Sequence, residues 1–238
     1  SGSDILNIDL ASSSIITHTS LVAANVETIN IGTADAVAIG SAAVTHVIST
    51  LTTAGATTIN VSGNNGLTLT ASTGSILVTT FDASGVVAND TAASTFVAAT
   101  TDTAANLAVT YASLNATTNA EVTITGGAGN DTLTGSTAAV NRDTIDGGAG
   151  ADIINGGTGA DIITGGEGAD YITGGLGADV ITLTETTAAS DVIEIDGGLT
   201  ADTVTGFNFG ATASDEIRVT IATIEGAGAL INGGLAQN

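Results

Sequence analysis

Four consecutive stretches of the chain hold glycine and aspartate in one register: GGAGADIIN (147–155), GGTGADIIT (156–164), GGEGADYIT (165–173) and GGLGADVIT (174–182). An earlier copy, GGAGNDTLT, spans 126–134, so Asp131 holds the place taken later by Asp152, Asp161, Asp170 and Asp179. One carboxylate per glycine-rich turn suits a hard cation. Calcium takes about six to eight oxygens at roughly 2.3 to 2.6 Å, and carboxylates mixed with backbone carbonyls supply them. Glycine permits positive φ and leaves room for carbonyls to turn towards one point. The nitrogen and sulfur ligands preferred by zinc and copper are missing from these segments.

The elements that must position these turns are minimal strands. After each aspartate, a three-residue x-U-x segment points its middle residue inward, which predicts a core built from Leu133, Ile145, Ile154, Ile163, Ile172 and Ile181. Ile153, Ile162, Tyr171 and Val180 then face outward. Between the first two good copies lies a degenerate one ending Asn141-Arg142-Asp143-Thr144-Ile145-Asp146. There the Arg142 guanidinium is expected to neutralise Asp143 in place of a cation. Beyond 182 the rhythm decays through Asp191 and GGLTADTVT (197–205) to Asp215, as terminal repeats of a solenoid do. Thr200 replaces the third glycine of that copy, which counts against a metal site at Asp202.

Composition excludes several functions. Twenty-four acidic residues face two arginines and no lysine among 238 residues, for a formal charge of -22. Nucleic acid and anionic lipid need clustered cations, so neither is expected as a partner. The chain is nevertheless 43% apolar, with Val, Ile and Thr dominant and aromatics at 3%, so it folds around small branched side chains. Cysteine is absent, which removes disulfides and thiolate chemistry. No run approaches the roughly 20 apolar residues of a spanning helix, so no membrane insertion is expected. Catalytic parts are also scarce. His18 and His46 are the only histidines and read as surface or strand residues, and no HExxH, GxSxG or GK[ST] motif occurs. Asp82 and Asp90 read as turn residues, so a non-enzyme is expected.

Proline is missing too, and short apolar alternations recur throughout, which predicts an all-β chain. In the first half, Val26–Ile31, Thr58–Val61, Leu67–Leu69 and Ile76–Val78 read as strands. Their spacers fit parallel coils at least as well as hairpins, with a β-sandwich still open for 1–125. The expected division is an Ala/Thr/Ser-rich, solenoid-like region over 1–125 and a calcium-binding roll with a degenerate cap over 126–238.

The nonapeptides resemble those of RTX proteins. That resemblance implies a right-handed parallel β-roll in which two nonapeptides make one coil and Ca2+ lies between loops two repeats apart. It places Asp152 with Asp170 and Asp161 with Asp179. It also makes Gly127, Gly129, Gly148, Gly150, Gly157, Gly159, Gly166, Gly168, Gly175 and Gly177 carbonyl donors beside the aspartates. Such repeats couple metal binding to folding, and cytosolic calcium is too dilute to fill sites of the extracellular class. The flanking VETINI, TTFDASG and VTITGGAGNDTLTGS are similar to surface-layer proteins of the Caulobacter type. This second resemblance implies type I secretion, self-assembly into a lattice or homo-oligomer at the cell surface, and a glycan anchor carried by another part of the protein. An accessory domain of a secreted hydrolase, or an adhesin or biofilm matrix protein, are the competing readings.

Overall fold

In a computed structural model, residues 3–12, 14–34, 43–69, 77–88, 103–137, 141–195, 202–210 and 213–219 are described. Each coil of the chain leaves one short strand in each of two parallel sheets. The first sheet stacks Ile5–Asp9, Thr28–Gly32, Thr58–Gly63, Thr80–Val86, Thr123–Thr125, Thr144–Asp146, Ile162–Thr164, Val180–Thr182 and Thr203–Thr205. The second stacks Thr17–His18, Thr45–Ile48, Gly66–Leu69, Val109–Ala112, Thr132–Thr134, Ile153–Asn155, Tyr171–Thr173, Val192–Ile195 and Glu216–Val219. Leu21–Ala23 and Leu51–Thr53 pair as a third, two-stranded sheet on the wider coils of the first half. Among the described residues there is no helix. The fold is a β-solenoid, and its RTX segment is a β-roll.

Parallel pairing also resolves the first half. Thr28–Gly32 takes Ile5–Asp9 on one side and Thr58–Gly63 on the other, both parallel, which is solenoid and not sandwich geometry. Nor does either sheet break where the nine-residue rhythm begins: Thr123–Thr125 pairs with Thr80–Val86 before it and Thr144–Asp146 after it. What changes is coil size. Stacked residues lie 23 and 30 apart at Asn7, Asn30 and Asn60, but 18 apart at Asp152 and Asp170.

In the three-residue strands of the repeats the core takes one residue per strand, whereas the longer strands of the first half bury two, such as Ile29 with Ile31 and Ile59 with Val61. Ile29, Ile59, Phe81, Ile124, Ile145, Ile163 and Ile181 form one buried file, in register through the first sheet. Tyr111, Leu133, Ile154, Ile172 and Ile193 form the facing file. Where the coil is wider, the larger rings of Phe81 and Tyr111 stack face to face at 3.9 Å and fill the extra width. The outward positions after the aspartates behave less uniformly: Ile153 and Val180 are 54% and 41% exposed, whereas Ile162 and Tyr171 are half-buried. Tyr171 donates its hydroxyl to Glu194, and Arg218 lies over its ring.

Three expectations need correction or delimitation. Leu77 and Val78 lie in the turn leading into Thr80–Val86 and form no strand of their own; Ile76, like Asp90 and Thr200, lies outside the described residues. His46 is on a strand but fully buried, its Nδ1 accepting the Ile16 N–H at 3.0 Å, and burial lowers its pKa. Arg142 is exposed and makes no ion pair with Asp143; among the described residues the ion pair is Arg218 with Glu216, at 3.0 Å.

Candidate metal centre

Each nonapeptide ends its turn by burying an aspartate. Asp131, Asp143, Asp152, Asp161, Asp170, Asp179 and Asp191 are at most 2% exposed, an unusual position for carboxylates. The backbone meets half of their need. The Asp152 N–H donates to Asp170 Oδ1 at 2.9 Å, and the Asp161 N–H to Asp179 Oδ1 at 2.9 Å. The same bond joins Asp131 to Asp152, Asp143 to Asp161, Asp170 to Asp191 and Asp191 to Asp215. Two carboxylate ladders therefore run along the roll, one on each edge, with the pairings that the RTX resemblance implies.

The second oxygen is a different matter. Oδ2 of Asp152, Asp161 and Asp170 is buried with no hydrogen-bond partner. Leaving a charged oxygen in that state is costly, and the groups respond: burial, reinforced by the neighbouring carboxylates, pushes Asp152 up to about 8 and Asp161 and Asp170 up to about 7.

The first glycine of each turn explains why the carboxylates can lie where they do. A Cβ on Gly147 would fall inside 3.0 Å of both Asp152 Oδ2 and the Gly165 carbonyl oxygen. One on Gly156 would meet Asp161 Oδ2 and the Gly174 carbonyl in the same way. Each missing side chain thus leaves a space faced by a carboxylate oxygen and by a carbonyl from the next coil. The second and fourth glycines of the four regular turns all take positive φ, from 96° to 149°, in contact with the carbonyls of the coil before. Of those carbonyls, Gly148 and Gly157 already accept the N–H groups of Glu167 and Leu176, at 2.9 Å each, and retain a second lone pair.

These residues fit calcium. Among the described residues no three His, Asp or Glu side chains converge as a metal-binding group, so a cation here must draw on carbonyl oxygens as well as on one or two carboxylates. That mixed, all-oxygen donor set is what calcium accepts. Asp152, Asp161, Asp170 and Asp179, with the surrounding glycine carbonyls, would hold it, and its charge would neutralise the ladder. The first-position glycines were not among the expected ligands. Their repetition was visible in the sequence, but the carbonyls crowded against Gly147 and Gly156 come from a neighbouring coil.

Comparison with known families agrees with this geometry. No curated protein and no solved structure matches the chain. Residues 122–138, 141–163 and 146–181 match the family model described as the RTX calcium-binding nonapeptide repeat (4 copies), so this part of the chain consists of RTX repeats and binds calcium.

Proposed function

We propose that the chain is a non-enzymatic structural segment of a secreted surface-layer protein, in which calcium closes and stiffens the roll and supports assembly into a two-dimensional lattice. The observation that carries the calcium part is the row of buried Oδ2 atoms without donors, at Asp152, Asp161 and Asp170. A row of unneutralised carboxylates resists closure, so the ion is a condition of the fold as well as a ligand. Proteins with RTX repeats are typically exported by type I systems, and the step from dilute cytosolic to abundant external calcium would time closure to arrival outside. The lattice part rests on the flanking sequence and on the unbroken parallel sheets, which make a long stiff element suited to a repeating assembly. Electron microscopy of the purified full-length protein with calcium and after chelation tests it. Ordered sheets that dissolve on chelation are expected; absence of ordered arrays at every calcium concentration defeats the lattice reading.

A further inference from the structure

The two turns that precede the regular block treat their aspartates differently. Asp131 Oδ2 accepts the N–H of Gly127 at 2.6 Å, and Asp143 Oδ2 accepts the N–H of Ser136. Both donors occupy the second position of their turn. In the four regular turns that position has positive φ, and at Gly148 the N–H goes instead to Asp146 Oδ1 at 3.2 Å. Gly127 and Ser136 do not take positive φ. The peptide ahead of the second residue therefore has two settings: in one its N–H satisfies the aspartate of its own turn, and in the other, at Asp152, Asp161 and Asp170, that aspartate is left with a bare oxygen.

The coils on the N-terminal side differ in the same sense. Oδ1 of Asp131 accepts the N–H of Val109 at 2.7 Å, and Oδ1 of Asp143 that of Val122 at 3.3 Å. The places above these two aspartates in the ladders thus belong to valines, and both carboxylate rows begin here.

We infer that the calcium ladder of this chain begins at Asp152 and Asp161, and that Asp131 and Asp143 are metal-free caps at which a backbone N–H, from Gly127 and Ser136, takes the place of the ion. The complete positions are between turns 147–152 and 165–170 on one edge and between 156–161 and 174–179 on the other. The sequence GGAGND gives no hint of this, since Gly127 and Gly129 are the residues a calcium turn requires. Its setting follows from its neighbours: Gly127 packs on Ala83 and Val86, and Gly129 on Leu107 and Ala108, none of which belongs to a repeat.

The inference rests on the calcium reading above, and one experiment separates them. Crystals of the protein grown in calcium, measured at a long wavelength, locate the ions by anomalous scattering without any substitution. Peaks are expected within about 2.3 to 2.6 Å of Oδ2 of Asp152 and Asp161, and none beside Asp131 or Asp143. A peak at ligand distance from Asp131 or Asp143 Oδ2 overturns the caps and leaves calcium binding intact; no peak anywhere overturns calcium binding itself. In solution, equilibrium dialysis against radioactive calcium should give D131N the stoichiometry of the parent chain, while D152N and D161N each lose one ion per chain. Loss of an ion from D131N that remains folded by circular dichroism contradicts the inference.

Discussion

The backbone N–H of Asp152 points at Oδ1 of Asp170, 2.9 Å away and 18 residues along the chain, while Oδ2 of the same Asp170 has no partner. One side chain thus performs two tasks. Its first oxygen sets the register between coils, and its second waits for a charge that the polypeptide does not supply.

Substituting Asp152 by asparagine separates those tasks. The amide side chain of D152N keeps an acceptor for the Asp131 N–H, a bond of 2.7 Å in the parent chain, and removes one buried charge. Without calcium the variant should be more stable than the parent at pH 8, by about 1 to 3 kcal/mol, the usual penalty of an unsatisfied buried polar group. With calcium the sign reverses, and affinity should fall by more than the roughly 10- to 100-fold that outer-shell changes cost a metal site. Urea denaturation with and without calcium checks both signs.

The raised carboxylates give the metal-free roll an unusual pH dependence. Burial holds Asp152, Asp161 and Asp170 at about 8, 7 and 7, against about 3.9 for an unfolded aspartate. Between those values the folded state binds more protons than the unfolded state, so stability falls as pH rises. The metal-free chain is therefore expected to be most stable near pH 4 and to lose stability progressively up to about pH 8. Calcium must displace the same protons, so its affinity should rise across the same window. Denaturation midpoints of the calcium-stripped chain from pH 5 to 8 measure the slope. A flat or rising profile contradicts it, and D152N should flatten it.

The roll was legible in the sequence because its determinants are local and repeated. Ile154, Ile163, Ile172 and Ile181 sit nine residues apart, and each is buried where the alternation of a strand places it. Stacking two repeats apart brings Asp152 to Asp170 as the resemblance implied. What stayed hidden depends on the neighbouring coil. Gly127 and Gly148 occupy the same place in near-identical turns, yet only Gly148 has positive φ, because their turns rest on different coils. Arg142 could be read as a counter-ion from adjacency alone, but Arg142 is exposed while Asp143, the residue just before strand Thr144–Asp146, is buried. His46 and Asn65, buried together with Asn65 Nδ2 3.2 Å from His46 Nε2, belong to successive coils with no repeat to announce them.

Glycine substitutions should discriminate sharply by place. Gly166 has φ of 109°, and a Cβ there would collide with the Gly148 backbone. The left-handed conformation alone costs an L-residue about 1 to 2 kcal/mol, and the clash adds to it. G166A should therefore lose at least about 2 kcal/mol and weaken calcium binding with it. Gly32 ends a strand without positive φ, and its nearest neighbour to a new Cβ is 3.7 Å away. G32A should be neutral or stabilising by about 0.4 to 1 kcal/mol, through a less flexible unfolded chain. Thermal melts of both variants in saturating calcium decide the contrast.

The first half is held by a ladder that needs no ion, so its stability should not depend on calcium. On the outer face of the first sheet Asn30 donates its amide to Asn7 at 2.8 Å, and Asn60 donates to Asn30 at 2.9 Å. The row stops at Asp82, whose Oδ1 turns instead to the N–H and hydroxyl of Ser84. Asn30 is the middle rung, so N30A breaks two bonds where N7A breaks one. With each bond worth about 0.5 to 1.5 kcal/mol net, N30A should cost about 1 to 3 kcal/mol and N7A about half of that. Contacts in a solenoid pass only between neighbouring coils, so the loss should appear in the amide exchange of Ile29, Ile31 and Ile59 and leave Ile163 and Ile172 protected. It should also be equal in calcium and in chelator over residues that stay folded in both, unlike the change of sign expected of D152N. A calcium-dependent effect of N30A would mean that the two halves of the solenoid fold as one cooperative unit governed by the metal.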